Sequence, residues 1–200
     1  MENTNHFFTE NIILQTDLVR LEPLTKAHFE VLLPIAMQQQ NLWNYTTAKI
    51  RTVADFTTYF NTALQEREDN KSYPFAYFNK QTNEYVGCTR YGNIDFKNKK
   101  LEIGWTWLTN PLHGTGFNRN CKFLLLSYGF EVLELNRIEL KTGSLNVISQ
   151  KAIQNIGAVK EGVFRNHIIT DDGSIRHSMY FSFIKEEWPE TKAKYFAGLY

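Results

Sequence analysis

Cysteine is scarce in this sequence: two residues in 200, Cys88 and Cys121. Two thiols cannot build a disulfide framework or, by themselves, a four-ligand zinc site. They are expected to be buried thiols in a reducing compartment. An excess of one charge is missing too. Lys and Arg number 22 against 21 Asp and Glu, a formal net charge of +1, and this excludes a surface built to coat nucleic acid or an anionic membrane. No apolar run approaches the roughly 20 residues of a membrane span. Met1 to Glu10 is polar and lacks the basic-then-apolar order of a secretory signal. A cytoplasmic protein is expected. No repeat, low-complexity tract or Pro/Gly/Ser-rich linker divides the chain, so residues 1–200 read as one domain with a core over 18–188. The spacing of His, Asp and Glu offers no metal site.

What is present is apolar residues, 42% of the chain with 14% aromatic, enough to enclose a core. Residues 18–22 read as a first strand. Thr25 opens a segment whose Phe29, Leu32, Leu33 and Ala36 have helical spacing, with Pro34 expected to bend or end it. Thr52 and Asp55 form a capping-box pattern before a second helix marked by Val53, Phe56, Phe60, Ala63 and Leu64. Strands at 74–78, 85–91 and 101–108, separated by polar turns, predict an antiparallel meander. In the third, alternation puts Leu101, Ile103, Trp105 and Trp107 on one face and Glu102, Gly104, Thr106 and Leu108 on the other.

The pattern then changes. His113-Gly114-Thr115-Gly116 leads into a helix over about 117–133, with Cys121, Leu124, Leu125, Tyr128 and Val132 inward, and a strand at 137–141 follows. A strand–loop–helix–strand unit of this kind is a crossover, so its two strands should be parallel. A helix over 147–156 ends at Gly157, and strands at 162–169 and 175–184 close the fold. The class is α+β: one mixed, mostly antiparallel sheet flanked by helices.

Gly114-Thr115-Gly116 stands where a strand passes into a helix. The first turn of a helix presents unpaired N–H groups and partial positive charge, a natural seat for a pyrophosphate. A lone Gly-x-Gly is equally readable as an ordinary tight turn. Two better-known phosphate loops fail here. Gly116 is followed by Phe117-Asn118 rather than Lys-Ser or Lys-Thr, and the third position after Gly116 is Arg119 rather than glycine or alanine.

Ile103-Gly104-Trp105-Thr106-Trp107-Leu108, then Pro111 and Gly114-Thr115-Gly116-Phe117-Asn118, resembles the core motif of the GNAT acetyltransferases, in the ribosomal-protein (RimJ/RimL-like) branch. The likeness continues through Tyr128-Gly129-Phe130-Glu131, Asn136 to Thr142, Asn146 with Ser149, Asn155-Ile156-Gly157-Ala158 and Glu161 to Arg165. It implies a GNAT-like fold whose two central strands, here 101–108 and 137–141, splay apart to admit acetyl-CoA. It also implies that Trp107 and Leu108 pair with the pantetheine arm, and that His113, Gly114, Thr115, Gly116, Phe117 and Asn118 cradle the pyrophosphate. The Arg or Gln that often starts the family's loop is absent, Pro111 standing in its place.

Acetyl transfer to an amine needs a proton acceptor, stabilisation of the developing oxyanion and a proton for the leaving thiolate. Glu102 is the candidate base. A carboxylate in that role needs burial or a water relay, and a strand glutamate turned to solvent is the competing reading. Ser149 is the candidate donor to the coenzyme A sulfur; Ala152, Ile153 and Ile156 share its helical face. Asn146 is expected at the N-cap, bonding helix and cofactor, or else only capping. His113 reads as a loop residue rather than a base, and His177 as a semi-buried structural residue. Arg119 and Lys122 read as a solvated helix face.

The expected reaction is direct transfer in a ternary complex, with acetyl-CoA as co-substrate and no metal. The acceptor would be a protein N-terminus or a small-molecule amine, bound between the first two helices and residues 165–180. A non-catalytic acyl-CoA-binding module is the alternative: it would keep the loop and need neither Glu102 nor Ser149. A monomer or a homodimer is expected.

Overall fold

The computed structural model describes residues 4–200; the first three residues of the expected 1–200 unit lie outside the described residues. Eight strands form one open sheet in the order β1-β2-β3-β4-β5-β6-β8-β7. They are β1 (Leu14–Gln15), β2 (Val19–Pro23), β3 (Tyr73–Asn79), β4 (Glu84–Asp95), β5 (Lys100–Leu108), β6 (Arg137–Gly143), β7 (Val159–Ile169) and β8 (Ile175–Ile184). Every neighbouring pair is antiparallel except β5 and β6, the parallel pair that the crossover requires.

Helices cover the two faces unequally. On one face α4 (Phe117–Ser127) lays Phe117, Cys121 and Leu125 against Leu101, Ile103, Leu108, Ile138 and Leu140. Short flanking helices join this side: α1 (Thr4–Thr9), α5 (Val147–Gln154) and α6 (Trp188–Tyr195). On the other face α2 (Phe29–Gln38) and α3 (Val53–Glu68) pack Leu32, Ala36, Phe56, Phe60 and Ala63 over Ala76, Cys88 and Trp107. The capping box at α3 is formed: Asp55 N–H donates to Thr52 Oγ1 at 3.2 Å, and Thr52 N–H to Asp55 Oδ2 at 2.8 Å. Beyond β5 this second face carries partly exposed Arg137, Glu139, Lys141 and Tyr180 instead of helix-facing apolar side chains.

Several details differ from the sequence reading. The helix expected to bend or stop at Pro34 runs to Gln38, because the missing proline N–H leaves only one carbonyl, that of Glu30, without an amide donor. Val132 is 62% exposed, since the helix after α4 widens into a π-turn over Tyr128–Val132 and rotates it outward. His177 is exposed, and its Nδ1 accepts the Asn166 N–H at 2.8 Å across an irregular stretch of β7. Both thiols are buried and free. The aromatic tail folds back on the same chain, with Phe196 buried beside Phe123 and Trp188.

Candidate active site

The site is built on the parting of β5 and β6. Their pairing consists of Lys100 with Arg137, Leu101 with Ile138 and Glu102 with Glu139, and beyond Glu102 no residue of β5 pairs with β6. A bulge in β5 accompanies the parting. The register against β4 moves from Arg90↔Gly104 to Cys88↔Trp107, and Trp105 stands at φ 50° between them.

This bulge corrects the expected faces. The Trp105 ring lies over Gly92 and its indole meets the Arg90 guanidinium at 5.5 Å, while Arg90 Nη1 donates to Glu66 of α3 at 3.0 Å. Trp105 and Trp107 therefore share the α2–α3 side with Glu102 rather than opposing it. Leu101, Ile103, Thr106 and Leu108 face α4. One inserted residue inverts the alternation after Gly104.

At the far end of β5 the chain enters the glycine loop. Gln39 at the end of α2 clamps it: its Nε2 donates to Thr109 Oγ1 at 2.7 Å and its Oε1 accepts the Asn110 N–H at 2.7 Å. The exposed His113 turns its Nε2 back to the Leu108 carbonyl at 2.8 Å. Gly114 and Gly116 have φ of 76° and 87°, a region that side chains rarely adopt, and a Cβ on either would meet nothing within 4 Å. The N–H groups of Gly114, Gly116, Asn118 and Arg119 have no hydrogen-bond partner among the described residues. Phe117 N–H has only a long contact to Thr115 Oγ1 at 3.4 Å, and the Phe117 ring is buried. Asn118 Oδ1 is buried and unpaired. Clustered donors with room in front of them, at a helix start, match a diphosphate.

Glu102 is 3% exposed, so the solvent-facing reading fails. Its Oε2 accepts from Asn93 Nδ2 at 2.6 Å and lies 2.8 Å from Lys141 Nζ of β6. Lys141 in turn stands 5.6 Å above the Tyr180 ring of β8. Charge reaches two further groups. His167 of β7 is harder to protonate than an ordinary histidine, first by desolvation and then by Lys141 and Arg176. Arg176 of β8 is lowered by burial, against the raising effects of Glu102 and Tyr180.

Asn146 does cap α5: its side-chain oxygen accepts the Ser149 N–H at 3.0 Å. Ser149 is half-buried, with Ile153 and Ile156 buried below it. Ala152 is exposed, contrary to the expected face, because the short α5 turns it away from the apolar strip of Ile153 and Ile156.

Lys122 departs from expectation too. Instead of lying on a solvated face it is 5% exposed, and its Nζ donates to Thr106 Oγ1 at 2.8 Å. Thr106 is itself bonded to Thr89 at 2.7 Å. Burial brings the Lys122 ammonium down to about 8. The sequence signal was available, since Lys122 falls between the buried positions Cys121 and Leu125 of α4. Arg119 is exposed as expected, but its Nε donates to the Tyr195 carbonyl at 2.7 Å. Asn93, Lys141, His167 and Arg176 escaped sequence reasoning because strand pairing alone brings them together.

A family model described as an acetyltransferase (GNAT) domain matches residues 19–159. The uncharacterized N-acetyltransferase p20 of Bacillus licheniformis is 33% identical over 114 residues, covering 57% of this chain and 63% of p20. YdaF of Bacillus subtilis (strain 168), provisionally named a ribosomal N-acetyltransferase, is 33% identical over 106 residues, covering 53% and 57%. The match thus spans less than two thirds of either relative. The crystal structure of a GCN5-related N-acetyltransferase from Brucella melitensis superposes with a TM-score of 0.85 at 26% identity, covering 96% of this chain and 86% of that one. Mycobacterium smegmatis RimJ, in complex with CoA-disulfide, shares the fold with a TM-score of 0.76 at 20% identity, covering 94% of each chain. Among the described residues no helix is long and apolar enough to cross a membrane.

Proposed function

Because the chain belongs to the GNAT acetyltransferase family, we propose that it moves an acetyl group from acetyl-CoA to a primary amine by direct transfer in a ternary complex. One observation carries the proposal: a strand seam that opens at a buried carboxylate, Glu102, and leads to a loop of unpaired amides.

Acetyl-CoA, when bound, supplies an acyl thioester open to attack by an amine. The free N–H groups of Gly114, Gly116, Asn118 and Arg119 hold its diphosphate, those of His113 and Thr115 being bonded to the Asn110 and Leu112 carbonyls, and the positive φ of Gly114 and Gly116 keeps the loop open to it. Leu108, unpaired toward β6 and with its carbonyl bonded to His113, offers its N–H to the pantetheine arm beside Trp107. Glu102 takes the proton of the arriving ammonium. Lys141 and Asn93 keep its carboxylate in place. The Ser149 hydroxyl, steadied by the Asn146 cap, is the donor to the leaving sulfur. The name of YdaF, a ribosomal N-acetyltransferase, favours a protein amine as acceptor.

The test is thiol release from acetyl-CoA against a panel of peptides, amino acids and polyamines, with binding of acetyl-CoA followed separately. Amine-dependent release is expected. Binding without release across the panel would leave an acyl-CoA-binding module.

A further inference from the structure

Most buried or half-buried cations on the face that carries Glu102 have acidic partners. Lys141 lies 2.8 Å from Glu102, Arg90 lies 3.0 Å from Glu66, and Arg137 lies 2.9 Å from Glu139 while also meeting Glu161. Arg176 does not. It stands on β8 opposite Ile168 of β7, beside the open end of β6. Its Nε is buried without a hydrogen-bond partner, and no carboxylate lies within ion-pair distance of its guanidinium among the described residues. The neighbouring His167 Nδ1 is also buried and unpaired, and His167 Nε2 lies 3.4 Å from Tyr180 Oη.

Gly143, the last residue of β6, borders the Arg176 side chain: a Cβ there would stand 3.4 Å from Arg176 Nε, an ordinary contact.

A guanidinium partly withdrawn from water and in contact with no carboxylate gains from a ligand that brings the anion. Its planar fork takes a carboxylate through two parallel N–H···O bonds. We infer that Arg176 is the anion-recognition residue for the acceptor, which is an amine that also carries a carboxylate. The ammonium approaches Glu102 and the carboxylate docks on Arg176. Two sources share this chemistry: a free amino acid, and a peptide whose N-terminal region bears Asp or Glu. The inference rests on the acetyl-transfer reading.

The experiment compares matched acceptors with the full chain and acetyl-CoA. One arm sets free amino acids against their α-carboxamides. The other sets C-terminally amidated peptides with Asp or Glu at the first or second position against the same peptides with Asn or Gln. A carboxylate preference of at least about tenfold in kcat/KM is expected in one arm, the usual weight of a charge-assisted bond. Arg176→Met should collapse that ratio and Arg176→Lys restore part of it, with acetyl-CoA affinity showing that both variants are folded. Turnover of amines with no carboxylate preference in either arm overturns the inference and leaves the transfer reading standing. No turnover of any amine overturns the transfer reading. In that event thermal stabilisation by glutamate over glutaminamide, which lacks both carboxylates, lost in Arg176→Met, still supports the anion site, and its absence in the wild type overturns it.

Discussion

Lys141 Nζ and Glu102 Oε2 stand 2.8 Å apart just past the last pair that joins β5 to β6. The side chains are 18% and 4% exposed, so the contact is shielded from solvent and ties the two strands where they begin to part. Removing one partner of a shielded ion pair leaves the other without compensation. Lys141→Met should therefore lower stability by roughly 1–3 kcal/mol in denaturant unfolding at neutral pH. An unchanged stability would show that the contact does not tie the strands.

Glu102→Gln keeps the Asn93 contact in shape and removes the proton acceptor. Loss of a general base lowers rates by about 10²- to 10⁴-fold. The expected result is a kcat reduced by at least about 100-fold, with the acidic limb abolished and acetyl-CoA affinity changed by less than about threefold. A variant with an unaltered pH–rate profile would remove Glu102 from the mechanism.

The antiparallel meander, the parallel crossover and the glycine loop were legible in the sequence because each follows from local periodicity and short turns, whereas the placing of β8 between β6 and β7 was not. The bulge at Trp105 was not. A tryptophan at φ 50° breaks the alternation that strand patterns assume, so Glu102 was placed opposite the tryptophans whose side it shares. The loop residues were readable from their order, since a helix start exposes its amides whatever surrounds it. The polar cluster around Glu102 was not readable. Asn93, Lys141, His167 and Arg176 come from four strands, and only the register of β4 through β8 assembles them. A lysine on a helix usually reaches water, whereas Lys122 ends on Thr106.

Lys122 should leave a pH signature on stability. Burial lowers its folded-state value to about 8 from 10.5. Below pH 8 both states hold the proton, and the folded state bears the full cost of a buried ammonium. Between about 8 and 10.5 the folded protein has released a proton that the unfolded chain keeps, so stability rises with pH by about 3 kcal/mol. Cys88, which burial pushes up to about 11, acts in the opposite sense, so the comparison is with Lys122→Met. Denaturant unfolding should show the wild type gaining on the variant across that window, and the variant the more stable protein at pH 7. Parallel curves would place the ammonium in solvent.

Gly116→Val should weaken acetyl-CoA binding by at least about tenfold. The backbone at φ 87° disfavours a branched side chain, by roughly 1–2 kcal/mol, and the added atoms fill the space in front of the loop amides. Titration calorimetry would show it, and an unchanged affinity would refute the loop assignment.

The most direct measurement is an amide chemical-shift titration with acetyl-CoA. If the diphosphate sits on the loop and the pantetheine arm lies in the seam, the largest changes fall on Gly114, Gly116, Asn118 and Arg119, followed by Trp107 and Leu108. Saturable binding that moves amides elsewhere and leaves these still would contradict the account.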